Sequence, residues 1–224
     1  MRCCGSNPGT CCSSHSHSNR LSITATGDNK SNRGIAVPFS VYEKFRRTIR
    51  EDGMIVGSSV HLVRNMVGKI DFSKPLRILE IGSGKGAFTR EIIQRMHPAS
   101  ALDVVDIKTE YNPWIEQLIA ANPHKQIRLH NDCVVSLLRN AECYDVIVSS
   151  LPLKNFENRK DSNAFLYQVI GALHDSLKTG GLYLQYQYFL SNKSHIEHVF
   201  GKRMNDIDFV PLNILPAFVY TMTK

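Results

Sequence analysis

The stretch EIGSGKGAF, residues 80–88, sets Gly82, Gly84 and Gly86 between an apolar run and a helical pattern. Glycines at such a turn let a ligand approach backbone N–H groups and the positive end of the helix that follows. A phosphate-binding P-loop requires G-x-x-x-x-G-K-[ST], a spacing that GSGKGAF lacks. A dinucleotide turn requires G-x-G-x-x-G or its alanine variant, and Ala87 makes that match only partial. Glu80, two residues before the first glycine, separates the readings. A carboxylate there repels a pyrophosphate and suits a ligand that carries positive charge.

Two more acids close apolar runs downstream. Asp106 ends ALDVVDI, where a carboxylate can take both hydroxyls of a ribose, and Asp132 follows QIRLH in the sequence LHND. A further segment of interest is DVIVSSLPL, residues 145–153, a run of β-formers followed by Ser149, Ser150, Leu151 and Pro152. A core strand has no use for two hydroxyls and a proline at its end. A strand that delivers backbone groups to a reacting ligand does.

The elements that must position these residues follow from period and punctuation. RILEIG, ALDVVDI, QIRLH, YDVIVSS and GLYLQYQY read as strands, and two more run near Asp206–Pro211 and Ala217–Met222. Between them lie helical patterns: Lys85 to Arg95, PWIEQLIAAN with Trp114, Leu118 and Ala121 on one face, CVVSLLRN, SNAFLYQVIGALHDSLK closed by Gly180-Gly181, and SHIEHVFGK. Strands alternating with helices predict right-handed crossovers and a parallel sheet, and the short link LNILP makes the last pair antiparallel. The fold class is therefore α/β: a doubly wound, mainly parallel seven-stranded sheet with a C-terminal antiparallel hairpin, preceded by N-terminal helices. One of those helices is expected over Val41–Arg50 and another from Ser59 to Val67, with Leu62, Val63 and Met66 on its inner face.

At 224 residues and 42% apolar composition the chain suits one globular domain, which we expect over 37–224, with helices in 37–70 and the sheet core in 71–224. Residues 1–36 are rich in Ser, Asn, Gly and Cys without hydrophobic period and read as a disordered tail. Cys3, Cys4, Cys11 and Cys12 lack the C-x2-C spacing of structural zinc sites, so no metal is expected. A formal charge of +7 fits an anionic partner, nucleic acid or an acidic membrane surface.

The pattern E-x-G-x-G-x-G resembles the first motif of class I S-adenosylmethionine-dependent methyltransferases, whose ligand carries a sulfonium and an α-amine and no phosphate. The resemblance implies a Rossmann-like methyltransferase fold and S-adenosyl-L-methionine bound by Glu80, Gly82, Ser83, Gly84 and Gly86. It further implies Asp106 with Ile107 at the ribose, Asp132 with Cys133 at the adenine, and Ser149 at the reacting end. In amine-methylating members the fourth strand ends in an Asn/Asp-Pro-Pro-aromatic loop, and in rRNA adenine dimethyltransferases in Asn-Leu-Pro-Tyr. Here Leu-Pro is kept, Ser replaces Asn and Leu153 replaces the aromatic.

From about Phe45 to Tyr188 the chain is similar to bacterial phospholipid N-methyltransferases, which act on phosphatidylethanolamine. The stretches that carry this are FRRTIREDGMIVGSSVHLVRNM, ILEIGSGKGAFTREI, DVIVSSLPL and LKTGGLYLQYQY. That family usually has Ser-Gly-Leu-Pro-Leu, so Ser150 is a departure, as are Gly57 before Ser58-Ser59 and Asp106 in place of Glu. The resemblance implies direct methyl transfer to a lipid amine oriented by backbone carbonyls at Ser149–Leu151. It also implies a cytoplasmic protein peripheral to an anionic membrane, contacting it through the basic segment 41–50. Tyr186 and Tyr188 offer cation–π contact to an ammonium or simple strand packing. An RNA adenine or small-molecule amine N-methyltransferase of the same fold is the alternative, with a non-catalytic binding module behind it.

Overall fold

The computed structural model describes residues 58–138, 143–213 and 215–224, apart from the side chain of Arg159. The expected tail 1–36 and the expected helix 41–50 lie outside the described residues. The elements run α1 (Val60–Gly68), β1 (Arg77–Ile81), α2 (Ala87–Arg95), β2 (Ala101–Val105), α3 (Asn112–Ala120), β3 (Gln126–His130) and α4 (Val134–Leu137), then β4 (Tyr144–Ser149), α5 (Ala164–Ser176), β5 (Leu177–Gln187), α6 (Lys193–Phe200), β6 (Asp206–Val210) and β7 (Ala217–Thr223). The sheet order is β3-β2-β1-β4-β5-β7-β6. β1 to β5 pair in parallel, while β7 enters antiparallel between β5 and β6. The expected seven-stranded architecture is the observed one.

Parallel strands buried on both faces need largely apolar runs, which RILEI and ALDVV supply around the buried acids Glu80 and Asp103. One face packs on α1, α2 and α3 through Leu62, Met66, Phe88, Ile92 and Ile115. The other packs on α4, α5 and α6. There α5 turns Leu166, Val169, Ile170 and Leu173 inward at helical spacing, each worth about 1.5–3 kcal/mol of burial. The crossovers leave β1 toward β2 and β3 on one side and reach β4 and β5 on the other. The reversal between β1 and β4 opens a crevice at their carboxyl ends, where such sheets take ligands.

Two details differ from expectation. Gly180-Gly181 do not close the helix: β5 begins at Leu177 directly after α5 and contains both glycines. Between the pairs Tyr144–Leu177 and Val146–Leu182, β5 advances five residues while β4 advances two, so 178–181 form a bulge. Gly180 takes φ +77° there, and a Cβ on Gly181 would lie 2.8 Å from Leu177 Cγ. The inner face of α3 also differs. Ile115 is its buried residue, Trp114 and Ala121 stand exposed, and the Lys85 ammonium sits 5.1 Å from the Trp114 ring centre. α1 matches expectation, capped by the Ser59 hydroxyl, which accepts the Leu62 N–H at 3.3 Å. Among the described residues no helix is long and apolar enough to cross a membrane.

Candidate active site

Backbone hydrogen bonds continue the sheet past its strand ends. Asp106 N–H donates to the His130 carbonyl at 3.1 Å, Gly82 N–H to Val105 at 2.8 Å, and Ser150 N–H to Ile81 at 2.8 Å. This row joins the ends of β3, β2, β1 and β4, and brings Glu80, the glycines, Asp106 and the Ser149–Pro152 loop to one edge. The expected site residues are thereby gathered on consecutive strands.

The turn after β1 holds Gly82, Gly84 and Gly86 in the left-handed region, at φ of 76°, 51° and 79°. Gly82 has a second reason to be glycine. A Cβ there would meet the backbone and Cβ of Ser150 at 3.4 Å, so the glycine turn and the β4 loop touch. Glu80 is fully buried, and both carboxyl oxygens lack a hydrogen-bond partner among the described residues. Burial pushes its pKa up to about 8; Thr89 opposes the rise from nearby without reaching hydrogen-bond geometry. The Ser83, Thr89 and Ser150 hydroxyl oxygens are buried and unpartnered too. Buried polar atoms are almost always satisfied. Three such residues on or beside one glycine turn, with a fourth on the loop that touches it, mark a place where a polar ligand completes the set.

Asp106 is buried and grips two loops. Its Oδ2 accepts the Gly84 N–H at 2.8 Å and its Oδ1 accepts the Lys108 N–H at 2.9 Å. Burial raises its pKa, and these two N–H groups oppose the rise. Each oxygen keeps a second lone-pair direction, the number a bidentate ribose contact needs. Ile107, next in the chain, is partly buried against the core on the α4–α6 side of the sheet. Asn131 was not foreseen: its amide donates to the Asp106 carbonyl at 3.2 Å and exchanges hydrogen bonds with Asn112. Asp132 stands exposed with Oδ1 on the Cys133 N–H at 2.6 Å, and Cys133 is buried, its thiol pKa raised by that burial.

At the end of β4 the two serines differ. Ser149 is fully buried and its hydroxyl accepts the Leu151 N–H at 3.4 Å, whereas the Ser150 hydroxyl is the unpartnered one. The Leu151 carbonyl accepts the side-chain amides of Gln185 and Gln187, each at 3.0 Å. Both its lone-pair directions are thus taken, which withdraws this oxygen from the expected role of orienting an amine. Of the expected group, Ser149 and Ser150 are left as candidates for it. Pro152 is exposed beside them. The two glutamines escaped sequence reasoning, although polar residues at alternate positions of an otherwise apolar β5 were their signal.

Phe156 is buried and packed edge-on against Phe165, with ring centres 5.4 Å apart. Tyr186 stacks on Phe88 at 6.0 Å and Tyr188 meets Tyr186 edge-on at 5.7 Å, so both belong to the packing of the α1–α2 face.

The donor set fits the expected ligand: a buried carboxyl for a cationic group, free hydroxyls beside it, and a second carboxyl with lone pairs to spare. No group of side chains able to hold a metal ion occurs among the described residues.

No protein-family model and no curated protein matches the chain. Solved structures share its fold. The precorrin-6y C5,15-methyltransferase of Geobacter metallireducens aligns at TM-score 0.61 and 14% identity over 76% of this chain and 93% of its own. The 1,6-didemethyltoxoflavin-N1-methyltransferase of Burkholderia thailandensis, with 1,6-didemethyltoxoflavin and S-adenosylhomocysteine bound, aligns at 0.62 and 14% over 85% and 91%. An rRNA methylase of Streptococcus thermophilus aligns at 0.52 and 14% over 75% and 98%. The chain has the fold of these methyltransferases.

Proposed function

We propose that this protein is an S-adenosyl-L-methionine-dependent N-methyltransferase whose acceptor is the amine of an aminolipid headgroup, such as phosphatidylethanolamine, at a membrane surface. The methyltransferase reading rests on the glycine turn with its unpartnered Glu80, Ser83 and Thr89 and on the Asp106 carboxylate. Its fold neighbours include an enzyme with S-adenosylhomocysteine bound. The observation that carries the lipid reading is the β4 loop. Ser149-Ser150-Leu151-Pro152 presents neither an amide side chain nor an aromatic face, and Phe156 is spent in packing against Phe165. A nucleobase would forgo stacking worth roughly 1–3 kcal/mol, while an aliphatic amine has no need of it.

S-adenosyl-L-methionine, when bound, supplies an electrophilic methyl on a positive sulfur. The chain's own residues then position and protect. Glu80 accepts the cationic portion of the donor, and Asp106 takes the ribose hydroxyls. The Ser149 carbonyl and the free Ser150 hydroxyl orient the acceptor nitrogen, and their adjacency to Gly82 brings it up to the donor turn. The amine must be neutral to attack, and an apolar surround disfavours its ammonium form. Held this way, the neutral nitrogen would stand in line with the donor's methyl, having first given its proton to solvent.

The test is an acceptor assay with purified full-length protein and methyl-labelled S-adenosyl-L-methionine. Phosphatidylethanolamine in mixed micelles should acquire label. Label in ribosomal RNA with none in lipid would sink the aminolipid reading.

A further inference from the structure

Four large apolar side chains stand in solvent along the carboxyl edge. They are Phe189 and Leu190 after β5, 70% and 59% exposed, and Leu212 and Leu215 between β6 and β7, 66% and 40% exposed. The β5–β7 pairing ends with Gln187 facing Phe218, so the residues that leave β5 run beside those that enter β7. The pairing thus sets the two loops side by side, and we treat their exposed apolar side chains as one ridge.

Both loops are firmly anchored beneath. The Tyr220 hydroxyl reaches the carbonyls of Phe189 at 3.2 Å and Ser191 at 2.9 Å. Buried Asn192 donates to Glu157 at 2.7 Å, tying this loop to the segment that follows Ser149–Pro152. In the other loop, buried Asn213 accepts the Ser59 N–H at 2.8 Å and donates to the Leu215 carbonyl at 2.9 Å. Amide side chains thus fill the interior of both loops while apolar ones point out. A rigid apolar patch of this kind marks a contact surface.

We infer that this ridge seats the protein on a lipid bilayer, with Phe189, Leu190, Leu212 and Leu215 entering the acyl region so that a headgroup amine reaches Ser149 and Ser150. The inference rests on the aminolipid reading above and adds the surface that would serve it. Charge favours a bilayer as the occupant. Arg64 is exposed on α1, one turn from exposed Val60, and has no carboxylate partner among the described residues. Lys44, Arg46, Arg47 and Arg50 precede Ser58 in the chain, and Arg50 is eight residues away, a reach of at most about 28 Å. Exposed apolar side chains in a chain of formal charge +7, with four basic residues within a short stretch of sequence before Ser58, match acyl chains beneath anionic headgroups.

The full-length protein and two double variants, Phe189→Ser with Leu190→Ser and Leu212→Ser with Leu215→Ser, would be sedimented with vesicles of phosphatidylethanolamine and phosphatidylglycerol. We expect each pair to weaken vesicle binding at least about tenfold, since each removes two large insertable side chains. S-adenosylhomocysteine affinity should stay unchanged, which confirms folding. Transfer to bilayer phosphatidylethanolamine should fall in parallel, while transfer to a dispersed short-chain phosphatidylethanolamine should not.

Wild-type vesicle binding in both variants would overturn the ridge and leave the aminolipid reading standing. Ridge-dependent vesicle binding without transfer to any phosphatidylethanolamine would end that reading and leave the surface. A wild-type dimer that both variants dissolve, seen by light scattering, would assign the ridge to a second copy of the chain. Vesicle binding recovered by deleting residues 1–57 from either variant would assign it to that segment. Both outcomes overturn the inference.

Discussion

The Gln185 amide donates to the Leu151 carbonyl at 3.0 Å, and Gln187, on the same face of β5, donates to the same oxygen at the same distance. Gln185 also accepts the Tyr183 hydroxyl at 2.9 Å. Removing either glutamine should therefore have unequal costs. Gln187→Leu leaves the carbonyl with one donor and should cost about 1 kcal/mol. Gln185→Leu also takes an acceptor from the buried Tyr183 hydroxyl and a donor from the Tyr186 carbonyl, and should cost about 2–3 kcal/mol. Chemical denaturation gives the ranking. Both variants should lower kcat about tenfold or more with S-adenosylhomocysteine affinity intact, because they loosen the β4 loop and not the glycine turn. Equal stability losses would contradict the hydrogen-bond assignment.

Glu80 gives a pH signature. Its pKa is about 8 in the folded chain against an ordinary 4.5. Between those values the folded state holds a proton that the unfolded state has released, so stability falls as pH rises from about 4.5 to about 8 and levels beyond. Glu80→Gln should flatten that slope in thermal melts taken across the range. A cation beside Glu80 favours its ionised form, so S-adenosylmethionine should bind more tightly as pH rises toward 8, by at most about tenfold per unit. Calorimetry in buffers of different ionisation enthalpy would detect the released proton. A pH-independent affinity would remove Glu80 from the cationic end of the donor.

Asp106 stabilises the turn before it meets any ligand. In Asp106→Asn one oxygen becomes an NH2 that faces either the Gly84 or the Lys108 N–H, replacing an acceptor with a second donor. We expect a stability loss of about 1–3 kcal/mol and a loss of S-adenosylhomocysteine affinity of at least about tenfold. Unchanged affinity in a destabilised variant would confine Asp106 to a structural role.

A polar cluster well away from the β4 loop supplies the contrast. Asp103 accepts the Tyr144 hydroxyl at 3.0 Å and pairs with His130 at 3.1 Å, while Arg77 lies over the Tyr144 ring at 5.3 Å. Tyr144→Phe keeps the ring and deletes one donor to a buried carboxyl. Unfolding should become easier by about 1–3 kcal/mol while kcat and donor affinity hold. A fall in kcat would place this cluster in communication with the site.

The strand and helix order was legible because each strand here is a short apolar run and each helix a 3.6-period stripe, bounded by Gly, Asn or Pro. The bulge at 178–181 was not. Gly-Gly after a helical pattern signals a stop, and only the register between β4 and β5 shows that the strand had already begun. The α3 face was misread because Trp114 looks like the most apolar residue of its helix. Gly86 decides otherwise: a Cβ there would meet Ile115 and Leu118 at 2.9 Å, so the absence of one lets those two residues pack inward. Glu80, the glycines and Asp106 could be found because a strand end followed by glycines is a local pattern. Gln185 and Gln187 act on a loop 34 and 36 residues earlier, and no local pattern records which carbonyl a buried amide will reach.

The backbone bonds that carry the sheet past its ends, from His130 to Asp106, Val105 to Gly82 and Ile81 to Ser150, also set a length scale. Neighbouring strands lie about 4.8 Å apart, so three steps from β3 to β4 span about 14 Å. On the proposed function, a donor held by its base beside β3 and reacting beside β4 would have to cover that interval. The sheet would then work as a ruler: donors truncated or extended between their base and their reactive sulfur would present the methyl short of Ser150 or beyond it, whatever the chemistry of their ends.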